Sequence, residues 1–278
     1  MAPSFQIVGE TPPASPVVLS VPHAGRDYPL PLRAALRAPV TALTALEDRY
    51  VDVLAREARG VETLLIQGAA RAWIDLNRAE HERDPLLDEG ARSGHESAKV
   101  RAGLGLVPRR TAQAGDLWRR RFGDDEIAAR IAAAHRPYHQ ALSDQLAAAH
   151  AHHGVAVLVD IHSMPPLGAG RARLVLGDRF GRSAAARFVH RVEEVARATG
   201  AGVALNTPYA GGYVLERHGR PRAGVHAIQL EVDRSLYLDA RLDQPGSGMA
   251  SAARWLRAML DALADEALAG PDLAVAAE

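Results

Sequence analysis

Two histidines in this chain stand where an apolar run gives out. Val155-Ala156-Val157-Leu158-Val159 leads into Asp160-Ile161-His162-Ser163-Met164-Pro165, and Val17-Val18-Leu19-Ser20-Val21 leads into Pro22-His23-Ala24-Gly25. Apolar, β-branched runs of this length read as buried strands. In open α/β sheets, ligands bind beyond the carboxyl ends of the strands. Two strands that each release a histidine at their exit can bring both imidazoles to one point, which is how a metal site is assembled from distant sequence. The chain has no cysteine, so a metal here must be held by histidine and carboxylate.

Further candidates for chemistry are Asp48, Asp52, Asp160, Glu231 and the pair Asn77-Arg78. Asp48 and Asp52 are four apart on a predicted helix and share a face, so either can point into a cleft; the competing reading is a solvated face pairing with Arg49 and Arg56. Glu231 lies within Ile228-Gln229-Leu230-Glu231-Val232, and burial of such a carboxylate would raise its pKa towards the range of a general base. Alternation on a half-exposed strand, with Gln229 and Glu231 both facing water, is the plainer account. His135 and His139 have the i, i+4 spacing of a helical metal pair, but Pro137 lies between them and no glutamate follows His135 as a zincin motif requires. A metal role is therefore not expected there, nor for His150, His152 and His153 at a helix end.

The elements that must position these groups alternate in type. A connector over 29–38 leads to a helix over 43–59, then strands over 61–67 and 72–76. Residues 78–101 are polar and short of large apolar side chains, a long surface excursion of the kind that is usually functional. A helix capped by Asp124 runs to His153 before Gly154, with a kink expected at Pro137. A strand over 172–176, a helix over 183–199, a glycine-rich loop at Ala210-Gly211-Gly212, a strand over 225–232 and a helix over 249–268 complete the reading. One α/β domain over 17–270 follows, with an N-terminal extension over 1–16 and a frayed tail over 271–278. Across 278 residues the formal net charge is zero, so nothing argues for nucleic acid or an anionic membrane. Residues 1–16 lack the basic start and apolar core of a signal peptide, and no apolar run approaches the roughly 20 residues of a membrane span. A cytoplasmic protein acting on a small molecule is the expectation.

Eight short motifs occur in order: Pro22-His23-Ala24-Gly25, Asp48-Arg49-Tyr50-Val51-Asp52, Ile74-Asp75-Leu76-Asn77-Arg78, Gly103-Leu104-Gly105-Leu106-Val107-Pro108-Arg109, His135-Arg136-Pro137-Tyr138-His139, Asp160-Ile161-His162-Ser163-Met164-Pro165, Gly211-Gly212-Tyr213 and Gln229-Leu230-Glu231. Together, over about 17–237, they resemble the N-formylglutamate amidohydrolase family. The resemblance implies a fold related to zinc carboxypeptidases and aspartoacylases, with a mixed central β-sheet between helical layers. It implies hydrolysis of the N-formyl amide of N-formylglutamate to formate and glutamate, at the end of one route of histidine breakdown. His23 and His162 match the family's metal histidines and Asp48 its acidic ligand, with Asp52 as fallback; the ion is Zn2+, or another divalent metal. Glu231 matches the base. Asn77 and Arg78 are similar to a pair that holds a substrate carboxylate, and Arg217 is a further substrate-binding candidate. Asp160 and Ser163 would stand behind the ligands, Asp160 projecting to the same side of its strand as His162. Where the related enzymes carry a glutamate three residues after the first histidine, this chain has Arg26, so the second ligand must come from elsewhere. The nearest alternative is a zinc deacylase or carboxypeptidase-like enzyme for another N-acyl amino acid; a metal-free binding protein on the same scaffold is the alternative from a different class.

Overall fold

The computed structural model describes residues 4–92, 94 and 96–270; the tail expected over 271–278 lies outside them. Among the described residues, nine strands form two sheets. They are β1 (Phe5–Val8), β2 (Val17–Val21), β3 (Thr63–Gln67), β4 (Arg110–Thr111), β5 (Gly115–Asp116), β6 (Ala156–Met164), β7 (Leu174–Gly177), β8 (Val203–Leu205) and β9 (Val225–Asp233). The large sheet has the order β1-β3-β2-β6-β9-β7-β8, and β4-β5 is a small hairpin. Its centre, β3-β2-β6-β9, is parallel, while β1 and β7 run antiparallel to their inner neighbours. The helices are α1 (Leu30–Ala35), α2 (Val51–Ala58), α3 (Ala98–Arg101), α4 (Asp124–Arg130), α5 (Arg136–His153), α6 (Ala186–Ala198), α7 (Tyr213–His218) and α8 (Met249–Leu268). No helix among the described residues is long and apolar enough to cross a membrane.

Both faces of the sheet are covered, which is why its strands read as unbroken apolar runs. Val17, Leu19, Val21, Val157, Val159, Ile161, Ile228, Leu230 and Val232 face a core closed by α2, α6 and α8. Val18, Ala156, Leu158 and Ala227 face a second core, closed chiefly by α4 and α5. On this second face β2, β6 and β9 turn polar as they approach their carboxyl ends. Val18 gives way to Ser20, Leu158 to Asp160 and His162, and Ala227 to Gln229 and Glu231, all of them buried. The parallel register sets Asp160 beside Gln229 and His162 beside Glu231.

The expected mixed sheet between helical layers is present, and several local expectations are corrected. The segment ahead of Val17 supplies the edge strand β1, paired antiparallel with β3. The 29–38 connector contains α1. The helix expected over 43–59 is broken: a 3-10 helix covers Val40–Leu46, and α2 begins only at Val51, after Tyr50 in the left-handed region (φ 55°). Residues 72–76 lie in turns and irregular chain; Ala72, Ile74 and Leu76 enter the second core at alternate positions without a ladder, so this apolar alternation imitates a strand. Gly123, not Asp124, is the N-cap of α4, and Glu126 accepts from its N–H at 3.0 Å. The disturbance expected at Pro137 is taken up just ahead of it by a π-helical turn, Ile131–His135, in which Arg136 N–H donates to the Ile131 carbonyl. Proline then falls in the first turn of α5, where its missing donor costs least.

The chain leaving β2 lies tightly on the chain leaving β3. Asp27 N–H donates to Gly68 O at 3.1 Å and Ala70 N–H to Asp27 O at 3.1 Å. A Cβ on Gly25 would stand 2.1 Å from the Ala69 carbonyl oxygen, so only glycine allows this approach two residues after His23. We predict that Gly25→Ala lowers unfolding stability by about 1–3 kcal/mol, the usual scale of overpacking, seen as a lower denaturant midpoint at unchanged slope. An unchanged midpoint would show that the two loops separate freely.

Candidate active site

His23, Asp48 and His162 meet at the carboxyl-end side of β2 and β6, all three buried, with one potential ligand atom from each lying within 4.8 Å of the others. His23 follows β2 by two residues. Its carbonyl accepts from Asp48 N–H at 3.0 Å, which staples the break between the 3-10 helix and α2 to the histidine loop. The Asp48 carboxylate lies 3.0 Å from His162 Nδ1 and 3.6 Å from His23 Nδ1. The far nitrogens are occupied as well: His23 Nε2 meets Asp75 Oδ1 at 2.7 Å and His162 Nε2 meets Asp160 Oδ2 at 2.8 Å. A carboxylate only accepts, so both Nε2 atoms donate and both Nδ1 atoms turn towards Asp48.

That arrangement asks for a cation. His23 Nδ1 is buried with no hydrogen-bond partner. Burial alone would lower the His162 pKa, but Asp160 and Asp48 hold it well above the usual histidine value. Asp48, which burial would raise, is held well below the carboxylate range by His162 and His23. A proton on His162 meets this demand in the bare chain. Two imidazoles and a carboxylate are also a donor set suited to a divalent ion such as zinc.

Further layers hold these three side chains. Asp75 accepts from Arg71 Nε at 2.8 Å and Asn77 N–H at 2.8 Å; burial opposes its charge, yet Arg71, His23 and Arg78 keep it well below the usual range. Asp160 accepts from Ser20 Oγ at 2.7 Å, which meets Tyr138 Oη at 2.9 Å. Ser163 Oγ donates to Asp48 at 3.3 Å and accepts from Arg234 Nε at 3.0 Å. Asp52 is not brought in: the helix break turns it away, and it pairs with Arg26 through two hydrogen bonds of 2.9 and 2.8 Å.

Glu231 shares the cavity, which has a volume of about 320 Å³, with the cluster. It is buried rather than half-exposed, and accepts from Gln229 Nε2 at 2.9 Å. Burial raises its pKa to about 7, against the pull of His162 and with the push of Asp48. Arg78 lines the same cavity, donating to Leu104 O at 2.9 Å and Asn77 O at 2.6 Å. It has no carboxylate partner among the described residues; Glu80 pairs with Arg136, and Glu82 accepts from Ala79 N–H and Ser97 Oγ. Asn77 accepts from Val214 N–H at 2.9 Å and donates to Gln229 at 3.4 Å. A Cβ on Gly212 would stand 2.4 Å from Asn77 Oδ1, so the glycine-rich loop can lie on the asparagine. Arg217 is corrected: it is exposed on α7, donates to Tyr213 Oη at 3.1 Å, and is not part of the cavity wall.

Sequence reasoning missed Asp75, Arg71, Lys99 and Arg234. Asp75 carried a signal, an acid between Ile74 and Leu76; the three cations carried none. His135 and His139 hold backbone: their Nε2 atoms donate to the carbonyls of Arg78 (2.8 Å) and Leu76 (2.9 Å), on either side of Asn77. His139 Nδ1 meets His218 Nε2 at 3.0 Å. Burial keeps this group neutral, pushing His218 down to about 3 and His139 well below its usual value.

A sequence profile of N-formylglutamate amidohydrolase matches residues 15–238. The N-formylglutamate deformylase of Pseudomonas aeruginosa is 30% identical over 265 residues, spanning 91% of this chain and 93% of the relative. That of Pseudomonas putida is 30% identical over 231 residues, 81% of this chain and 82% of the relative. The crystal structure of N-formylglutamate amidohydrolase from Ralstonia eutropha JMP134 superposes with a TM-score of 0.87 at 30% identity, covering 97% of this chain and all of that one (100%). With likeness in sequence and in fold running through every strand that carries the site, this chain belongs to the N-formylglutamate amidohydrolase family.

Proposed function

We propose that the protein is a cytoplasmic zinc-dependent amidohydrolase that cleaves N-formyl-L-glutamate to formate and L-glutamate, the closing step of one route of histidine breakdown. The observation that carries the reading is a buried Glu231 carboxylate beside a His23-Asp48-His162 cluster that demands a cation, within a cavity rich in basic side chains. The names of the relatives support the substrate.

His23, Asp48 and His162 would hold the ion. When bound, it supplies Lewis acidity for the poorly electrophilic formyl carbonyl and for a water molecule. Asp75 and Asp160 keep each histidine's Nε2–H engaged, so that Nδ1 presents its lone pair. Glu231, ionised, takes a proton from the attacking water on a carboxylate oxygen. It then returns that proton to the amine nitrogen as the C–N bond breaks, first base and then acid. Arg78 offers a planar fork to the substrate's α-carboxylate, and Asn77 shapes the wall beside it. Tyr209 and the loop to Gly212 cover the cleft from the β8 side.

Three outcomes are expected. Purified protein carries about one zinc per chain; chelation removes the ion together with formate release from N-formyl-L-glutamate, and zinc restores both. Full turnover by metal-free protein would sink the assignment, and better turnover of N-acetyl or N-succinyl amino acids would move the substrate. Glu231→Gln keeps zinc and fold but loses ~10²–10⁴-fold in kcat. In the parent enzyme the rate rises with pH as Glu231 ionises, around its value of about 7, and this limb vanishes in the variant. A variant with near-normal kcat would make Glu231 a structural residue. Arg78→Lys lowers kcat/KM for formylglutamate by ~2–4 kcal/mol of transition-state binding while sparing a carboxylate-free formamide. Equal losses on both substrates would mean that Arg78 supports the site without gripping the anion.

A further inference from the structure

Formylglutamate carries two carboxylates, and the Arg78 clamp accounts for one. The inference here rests on that reading and extends it to the second. Four cations line the cavity: Arg71, Arg78, Lys99 and Arg234. Two are committed to the protein. Arg71 Nε donates to Asp75 at 2.8 Å, behind His23. Arg234 donates to Ser163 Oγ at 3.0 Å and Glu47 O at 2.6 Å, and reaches Asp48 at 3.4 Å. Arg78 bonds only to carbonyl oxygens. For the Lys99 ammonium there is no hydrogen-bonded or ion-paired partner among the described residues. Two uncommitted cations therefore face a ligand with two anionic ends.

The position of Lys99 is built rather than incidental. The residue belongs to α3, where the polar excursion after Arg78 returns to the cleft. Ser97 caps this turn, accepting from Val100 N–H at 3.3 Å and donating to Glu82 at 3.0 Å. The Lys99 carbonyl accepts from Leu104 N–H at 2.8 Å, and Leu104 is itself part of the cavity wall. Lys99 as a residue is exposed, yet it contributes to that wall, which puts it on the rim. Burial of its amine, with Arg78 and Arg71 nearby, pulls its pKa below the usual lysine value, a crowding of like charges that an incoming anion relieves.

We infer that Lys99 selects for a carboxylate on the substrate's side chain: it meets the γ-carboxylate at the rim while Arg78 takes the α-carboxylate deeper in. The division suits the two groups. Arg78 has a fixed planar fork held by two carbonyls, whereas lysine is a compact charge on a flexible stem that can follow a mobile chain end.

The test uses zinc-loaded Lys99→Met, which keeps the stem and removes the charge, with N-formyl-L-glutamate and its neutral isostere N-formyl-L-glutamine as substrates. The ratio of kcat/KM for glutamate over glutamine should fall about 10- to 100-fold, the scale of a lost hydrogen bond to a charged group. Lys99→Arg should recover part of it. Zinc content and melting temperature should match the parent. An unchanged ratio overturns the role of Lys99 while leaving the formylglutamate site standing, and equal losses on both substrates overturn it in favour of a structural part for α3. If the parent enzyme itself fails to prefer formylglutamate over formylglutamine, the diacid reading falls and this inference with it.

Discussion

Three acceptor atoms are driven together on side chains that are almost entirely buried, and much of this fold serves that encounter. Two imidazole nitrogens and a carboxylate oxygen cannot share a point within 4.8 Å unless positive charge joins them. Stripping one partner from such a buried group costs about 3–5 kcal/mol, so its scaffolding must be stiff. The stiffness arrives by two routes. One runs through backbone turns, from Arg71 and Asp75 to His23. The other runs through the sheet, from Tyr138 and Ser20 to Asp160 and His162. The routes begin on different elements and end on different histidines, and they meet only where β2, which carries Ser20 and leads to His23, pairs with β6.

The same burial gives two neighbouring carboxylates opposite characters. Asp48 is flanked by both imidazoles and stays charged. Glu231 lies one strand away, bonded to a neutral amide, and its pKa rises to about 7. Dielectric alone does not separate them, since each is almost inaccessible to water. Hydrogen-bond partners do, and the separation leaves one carboxylate fixed as an anion and the other able to exchange a proton near neutral pH.

Much of this was legible in the chain because it is written at period two. The change from Leu158 to Asp160 and His162, and from Ala227 to Gln229 and Glu231, marks a strand face turning polar, and strand geometry carries that mark directly into space. Helical spacing alone left Asp48 and Asp52 equal, because both fit one helix, and only the family resemblance put Asp48 first. The break at Tyr50 that separates them comes from a tertiary bond to the His23 carbonyl. Residues 72–76 misled for the opposite reason: alternate side chains are buried there, but no neighbouring strand is available. Arg217 sits in a plausible segment, but the short helix α7 turns it outward. Arg71 reaches the cleft from a turn, Lys99 from the four-residue helix α3 and Arg234 from a 3-10 turn after β9, and no local pattern records that these short segments meet there.

The π-helical turn at Ile131–His135 bears on how this protein tolerates change in length. Each residue added to or taken from a helix rotates the helix beyond it by about 100°. The helix beyond this turn is doubly committed: Tyr138, Leu142 and Leu146 are keyed into the core beneath the sheet, while His135 and His139 grip the Arg78 and Leu76 carbonyls. Ala132, Ala133, Arg136 and Gln140 are exposed and can be exchanged with little consequence. A single-codon deletion among the same positions would put both commitments out of phase at once. The exposed positions of this stretch are therefore free in composition while its length is fixed, and insertions and deletions are accommodated best at its far end, beyond His153, where Gly154 already lets the chain change direction.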